Sequence, residues 1–415
     1  MDRYTRRASL SILLGGLGLG IGLLPSCTRS GREQSDSTTI KVGQLQDQTG
    51  DFAVLGIQKY HAAQLAIEEI NKNGGLLDKQ LELISYDTQS DNRRYQELAR
   101  KLILEDKVDV IHGAFTSASR EAIRPIMEQY GMLYFYNNEY EGGVCSANTF
   151  ITGPGGDQQI TTLIPEMIKQ YGSRIYTIAA DYNFGQITAK WIRATAEKNG
   201  GQIIGEEFIP LDVSQFSSTI ERIQKAKPNF LMTILIGAKQ SSFYQQRVAA
   251  GLRVPMGSNV TMAAAYEHKR IPAPAMEDMY VTTNYMEELD TPASKAFVQK
   301  WRTKFPDDPY IGALAADEYI GVYLWAEGVK KAGTVEKAAV RKALETGISF
   351  DGPGGKVTID PKTHNAILPI HLVKSDAQHN ITFPKVFDAV APDWLSKEKG
   401  CDLPNRPEST QYEPS

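Results

Sequence analysis

Three short stretches gather hydroxyl, amide and aromatic side chains in an order suited to holding a small polar molecule. The first, Phe115-Thr116-Ser117-Ala118-Ser119-Arg120, follows an apolar run and opens a helical pattern. Backbone N–H groups of a first helical turn and a serine oxygen converge there on one spot, where a polar group can be hydrogen-bonded. Capping of the helix by Thr116 or Ser117 is an ordinary use of the same residues and is compatible with ligand binding. The second stretch, Tyr136-Asn137-Asn138-Glu139-Tyr140-Glu141-Gly142, offers two amides. An asparagine donates and accepts in one plane, which matches an amide, urea or carboxylate group, although Asn-rich turns also occur for conformational reasons. In the third, Ala180-Asp181-Tyr182-Asn183-Phe184-Gly185, two aromatic rings are set to close over a ligand. This is the chemistry of recognition.

Bond-making chemistry has no comparable signature. The six histidines, His61, His112, His268, His364, His371 and His379, show neither HExxH nor another metal spacing, and the chain has no CxxC. It also lacks the GxSxG elbow of acyl transfer and the GxxxxGK[ST] loop of nucleotide hydrolysis. Glu68-Glu69 and Asp307-Asp308 are adjacent pairs whose side chains diverge, so they read as solvated faces rather than acid/base dyads. No metal, cofactor or enzymatic activity is expected.

The elements that must position the three stretches alternate between strand and helix. Apolar strands begin at Ile40, Leu81, Val108 and Met132, separated by helical patterns such as Ala62, Leu65, Ala66 and Ile70. Such βαβαβαβ grammar implies parallel strands, right-handed crossovers and helices on both sheet faces. After Gly153-Pro154-Gly155-Gly156 the grammar restarts. The 415 residues are therefore read as α/β with two similar lobes. Crossings between lobes are expected near residues 153–156, 283–285 and 351–355. Lobe 1 comprises residues 40–153 plus 284–351, lobe 2 residues 154–283 plus 352–390, and residues 391–415 form a C-terminal tail. In an open α/β sheet the loops at the carboxyl ends of strands surround one crevice. All three polar stretches fall at such ends.

Residues 1–26 read as an export signal: Arg3, Arg6 and Arg7 precede an apolar run over 10–24, too short for a comfortable membrane span. The run ends Leu24-Pro25-Ser26-Cys27, resembling the lipobox where signal peptidase cuts and Cys27 receives lipid, with Pro25 an imperfect match. Arg6-Arg7 leaves both Sec and twin-arginine export open. The glycines between 15 and 22 lie inside this segment and carry no chemistry. Residues 27–39 are polar and small, a flexible tether. Two cysteines remain, Cys145 and Cys401, in a compartment that permits oxidation, and they are candidates for a disulfide holding the tail to the first lobe. With 45 Lys plus Arg against 49 Asp plus Glu, a net charge of -4 gives no general attraction for phosphate backbones, so nucleic acid is not expected as a partner.

Taken together, Phe115 to Arg120, the Tyr-Glu-Gly of Tyr140 to Gly142, Asp157-Gln158-Gln159, Asp181-Tyr182, Leu289-Asp290-Thr291-Pro292 and Ile320-Gly321-Val322 resemble the type-I periplasmic binding proteins of the urea and short-chain amide branch, related to branched-chain amino acid binding proteins. The resemblance runs from about Ile40 to Asp388. It implies a type-I periplasmic binding protein fold with three inter-lobe crossings, capture of a small polar solute, and delivery to an ABC transporter permease. Carried onto this chain, the ligand contacts are Phe115, Ser117, Tyr136, Asn137, Asn138, Tyr182 and Phe184. Tyr136-Asn137-Asn138 departs from the Tyr-Pro-Thr or Tyr-Pro-Val of relatives, and Phe115 stands where they have Tyr. The expected product is a lipid-anchored protein outside the cytoplasm that binds urea or a short amide. An amino acid-binding protein of the same class and an extracellular sensor subunit are the alternatives.

Overall fold

The computed structural model describes residues 39–415. The signal segment, Cys27 and the tether lie outside the described residues. In chain order the elements are β1 (Thr39–Gln46), α1 (Ala53–Lys72), β2 (Gln80–Asp87), α2 (Asn92–Lys101), β3 (Val110–Gly113), α3 (Ser117–Tyr130), β4 (Tyr134–Tyr136), β5 (Val144–Ser146) and β6 (Thr149–Ile151). Next come α4 (Gly156–Tyr171), β7 (Arg174–Ala180), α5 (Asn183–Lys198), β8 (Gln202–Ile209), α6 (Ser217–Ala226), β9 (Phe230–Ile234), α7 (Gly237–Gln240), α8 (Ser242–Ala249), β10 (Met256–Ser258), α9 (Glu267–Arg270) and β11 (Met279–Thr283). The chain closes with α10 (Pro292–Lys304), α11 (Ala313–Ala332), α12 (Lys337–Leu344), β12 (Ser349–Gly352), β13 (Gly355–Ile359), β14 (Ala366–Ser375), β15 (Ile381–Val390) and β16 (Ser409–Gln411).

Two sheets result. The first is parallel throughout, in the order β2-β1-β3-β4-β6. β3 and β4 are buried along their whole length, as a parallel sheet covered on both faces requires. α1 turns Ala62, Leu65, Ala66 and Ile70 onto this core and packs against α11. The second sheet runs β8-β7-β9-β10-β11 in parallel and is extended by antiparallel β14, itself flanked by β13 and β15.

The third crossing differs from expectation. β12 and β13 form a hairpin whose Val357 and Ile359, with Ala366, Leu368 and Ile370 of β14, are buried in the first core; only beyond Ile370 does β14 pair with β11. Residues 352–370 therefore pack with lobe 1, and the chain crosses within β14. The physical reason is apolar cover. Phe350 stacks on Tyr323 of α11 at 4.4 Å, and each aliphatic side chain buried there is worth roughly 1.5–3 kcal/mol over exposure. Pro369 sits at the switch between partner strands, where the β14–β15 register also shifts, so its missing N–H costs the ladder little.

The crossings lie side by side and two glutamines at the start of α4 stitch them. Gln158 donates to the carbonyls of Ala366 (2.9 Å) and Val390 (2.6 Å), and Gln159 to those of Thr282 (2.7 Å) and Asn259 (2.8 Å). The tail folds back over lobe 1: β16 pairs antiparallel with β5, and Cys145 and Cys401 are disulfide-bonded with Cα atoms 6.0 Å apart. Leu395, Leu403 and Ala147 pack around that bridge.

Candidate functional site

The carboxyl ends of β3, β4 and β7 meet across the gap between the sheets, and those of β9 and β10 join them. They surround a small cavity, of about 10 Å³, lined by Phe115, Ser117, Tyr136, Asn138 and Glu139 from lobe 1, and by Tyr182, Phe184, Ile236 and Val260 from lobe 2. A wider groove of about 700 Å³ runs past Trp191 and Trp394, but none of these nine residues lines it. Six of the seven residues expected to touch ligand are thus brought together.

Asn137 is the exception. Adjacent residues of an extended chain point to opposite sides, and here Asn138 faces the cavity while Asn137 turns into the lobe. Its amide nitrogen lies 3.0 Å from His112 and donates to Glu318 (3.1 Å), and its oxygen accepts from Thr152 (2.9 Å). Gly321 makes the room: a Cβ there would fall 2.0 Å from Asn137 Oδ1. Asn137 belongs to a buried network beneath the site with Gln44, Lys59, Glu318 and Asp317. Lys59 donates to the Ala114 carbonyl (2.8 Å) and lies 3.7 Å from Glu318. Asp317, pushed up to about 7 by burial, accepts from Asn284 on the second crossing (2.6 Å).

The loop after β3 is held from two sides. Thr116 caps α3 through Ser119 N–H (3.0 Å), as its position suggested, which leaves Ser117 free for another partner. The Ser117 hydroxyl donates to Glu141. Glu141 also accepts from the fully buried Arg120 guanidinium (2.6 Å) and from Gln411 of the tail (2.5 Å). Burial works against the Arg120 charge, but the neighbouring Glu141 and Glu121 carboxylates more than offset it and hold the guanidinium well above its ordinary pKa. The Tyr136 hydroxyl (2.6 Å) and the Asn138 amide (2.7 Å) both donate to the Phe115 carbonyl.

The unpartnered buried polar atoms of the cavity wall lie on two adjacent residues. Asn138 Oδ1 and both carboxyl oxygens of Glu139 are buried without a hydrogen-bond partner. Glu139 is 3% exposed, and desolvation lifts its pKa well above the ordinary carboxyl value. Among the described residues lining the cavity none is basic. Ile236 and Val260 were invisible as site residues because apolar side chains at strand ends look like core. Glu139, like Asp181, was legible in the sequence as an acid able to serve an amino acid's ammonium, but its burial without partners was not.

The geometry is that of a clamp around a small solute, and comparison with known proteins agrees. A family model described as "Periplasmic binding protein" matches residues 39–380. The chain belongs to that family. Among its relatives, a leucine-, isoleucine-, valine-, threonine- and alanine-binding protein of Pseudomonas aeruginosa is 26% identical over 332 residues, covering 78% of this chain and 86% of the relative. Leu/Ile/Val-binding protein homolog 7 of Brucella abortus is 24% identical over 328 residues, covering 74% and 81%. A solute-binding protein of an ABC transporter from R. palustris, solved with 4-hydroxybenzoate, superposes with a TM-score of 0.78 at 20% identity, over 86% of this chain and 100% of that one. The protein is a member of the periplasmic binding protein family with the two-lobed α/β fold of the solved solute-binding proteins.

Proposed function

We propose that this periplasmic binding protein captures urea or a short-chain amide between its lobes and presents it to its permease. The observation that carries the reading is the pair of unpartnered buried polar groups, the Asn138 Oδ1 acceptor and the Glu139 carboxyl, in a small aromatic-walled cavity without a basic side chain. A ligand rich in N–H donors satisfies such a wall, and unsatisfied buried acceptors discriminate strongly against ligands that lack donors. The space left between these walls is small, which favours a solute of few heavy atoms. A second reading has its own support: an ionised Glu139 would suit an ammonium, and two relatives are named for branched-chain amino acids.

Calorimetry of the protein against urea, formamide, acetamide and leucine separates the two readings. Heat with urea or an amide, and none with leucine, is the expected result; the reverse assigns the protein to amino acids. Because a solute touching both lobes binds the closed form better, the same titrant is expected to compact the protein in small-angle scattering. An unchanged radius at saturation would exclude closure.

Lipid anchoring at Cys27 belongs to this proposal. Cys27→Ala is expected to release the protein from the membrane fraction, and a variant that stays bound would show that Leu24 to Cys27 is not a lipobox.

A further inference from the structure

We propose that Glu139 is the residue that reads the ligand's carboxamide, acting as a neutral carboxylic acid that forms a cyclic two-hydrogen-bond pair with it. This rests on the urea and amide reading above and adds the group that enforces it.

Three observations meet at this side chain. Both Glu139 oxygens are unpartnered although the residue is almost wholly buried, and the residue lines the cavity. Native proteins rarely leave a buried carboxyl without partners, so the exception marks a place completed by another molecule. Its surroundings favour the protonated form. The nearby Lys59 ammonium is tied to the Ala114 carbonyl and to Glu318, while Asp317 on α11 and Glu267 on α9 add like charge. Asn138 Oδ1 then supplies a further acceptor beside the carboxyl.

The chemistry of the pair follows. A protonated carboxyl presents one O–H donor and one C=O acceptor in a plane. A primary amide or urea presents one C=O acceptor and one N–H donor in the same arrangement, so the two close a ring of hydrogen bonds. The second N–H of the ligand is left for Asn138. An ammonium offers no acceptor and cannot form this ring, and a carboxylate ligand offers no donor. Selection by Glu139 is therefore for the neutral carboxamide group, with the aromatic walls selecting for size.

Glutamine reproduces the planar donor and acceptor of a neutral carboxyl but not the charge of an ionised one, so the two forms make opposite forecasts. With acetamide and urea as probes, Glu139→Gln is expected to bind within about tenfold of the wild type, and Glu139→Leu about 10- to 100-fold more weakly through loss of both bonds. Thermal melts establish that each variant is folded. Should the leucine variant not fold, the glutamine variant decides alone. Loss of acetamide and urea binding in Glu139→Gln would overturn the neutral pair, because it would show that charge is what the ligand requires. Unchanged binding in a folded Glu139→Leu would remove Glu139 from recognition while leaving the proposed function intact. A wild-type protein that binds leucine but neither amide probe, or none of the probes, would overturn the proposed function and this inference with it.

Discussion

Replacing Glu141 by leucine is expected to lower the unfolding free energy by about 3–5 kcal/mol, the usual cost of stranding one member of a buried ion pair. Arg120 and Glu141 are both fully buried, and the carboxylate also holds the Ser117 hydroxyl and the Gln411 amide. Removal leaves the guanidinium with only Glu121 at 2.9 Å and a Gln411 oxygen at 3.1 Å. Chemical denaturation of the wild type, Glu141→Leu, Arg120→Met and the double variant measures this. The double variant is expected to be much less destabilised than the sum of the singles, since an apolar replacement of the whole pair strands no charge. A Glu141→Leu protein within 1 kcal/mol of the wild type would mean that the pair is not a support of the fold. Ligand affinity should fall as well, because Ser117 loses the acceptor that orients it.

Breaking the bridge between Cys145 and Cys401 is the second large effect. The cysteines are 256 positions apart, and by loop-closure entropy a cross-link over that span stabilises by roughly 5 kcal/mol through restriction of the unfolded chain. The paired substitution Cys145→Ser with Cys401→Ser, or reduction of the native protein, is expected to shift the denaturation midpoint by most of that amount and to expose residues 391–415 to protease. Alkylation of the unreduced, denatured protein followed by intact-mass measurement checks the bond itself; two alkylated thiols would refute it. A midpoint that moves by less than 1 kcal/mol would show that β16 and the Leu395 and Leu403 contacts secure the tail unaided.

The lobes were legible because parallel strands buried on both faces must be apolar, and because the helices between them carry one-sided patterns such as Ala62, Leu65, Ala66 and Ile70. The aromatic and hydroxyl part of the site was legible for a topological reason, its position at strand ends. The choice between Asn137 and Asn138 was not, since neighbouring residues alternate in direction and local sequence does not say which faces the cavity. Its one trace lay far away, in the missing side chain of Gly321. Lys59 was equally hidden: nothing about a lysine on an amphipathic helix announces burial beneath a ligand loop. The third crossing was misplaced because the turn at residues 351–355 resembles a boundary, whereas the true switch carries a single mark, Pro369 inside a strand.

The position of Cys401 along the chain also orders the protein's maturation. Every strand of both sheets precedes it, the last of them ending at Val390, and Gln411 follows it. A chain delivered from its N-terminal end can assemble both lobes before the partner of Cys145 arrives, and the bond then needs oxidising surroundings to close. The contact that Gln411 adds to Glu141 is consequently among the last parts completed. A reduced or truncated chain is therefore expected to keep its lobes and the Arg120–Glu141 pair but to lose the Gln411 contact that completes it.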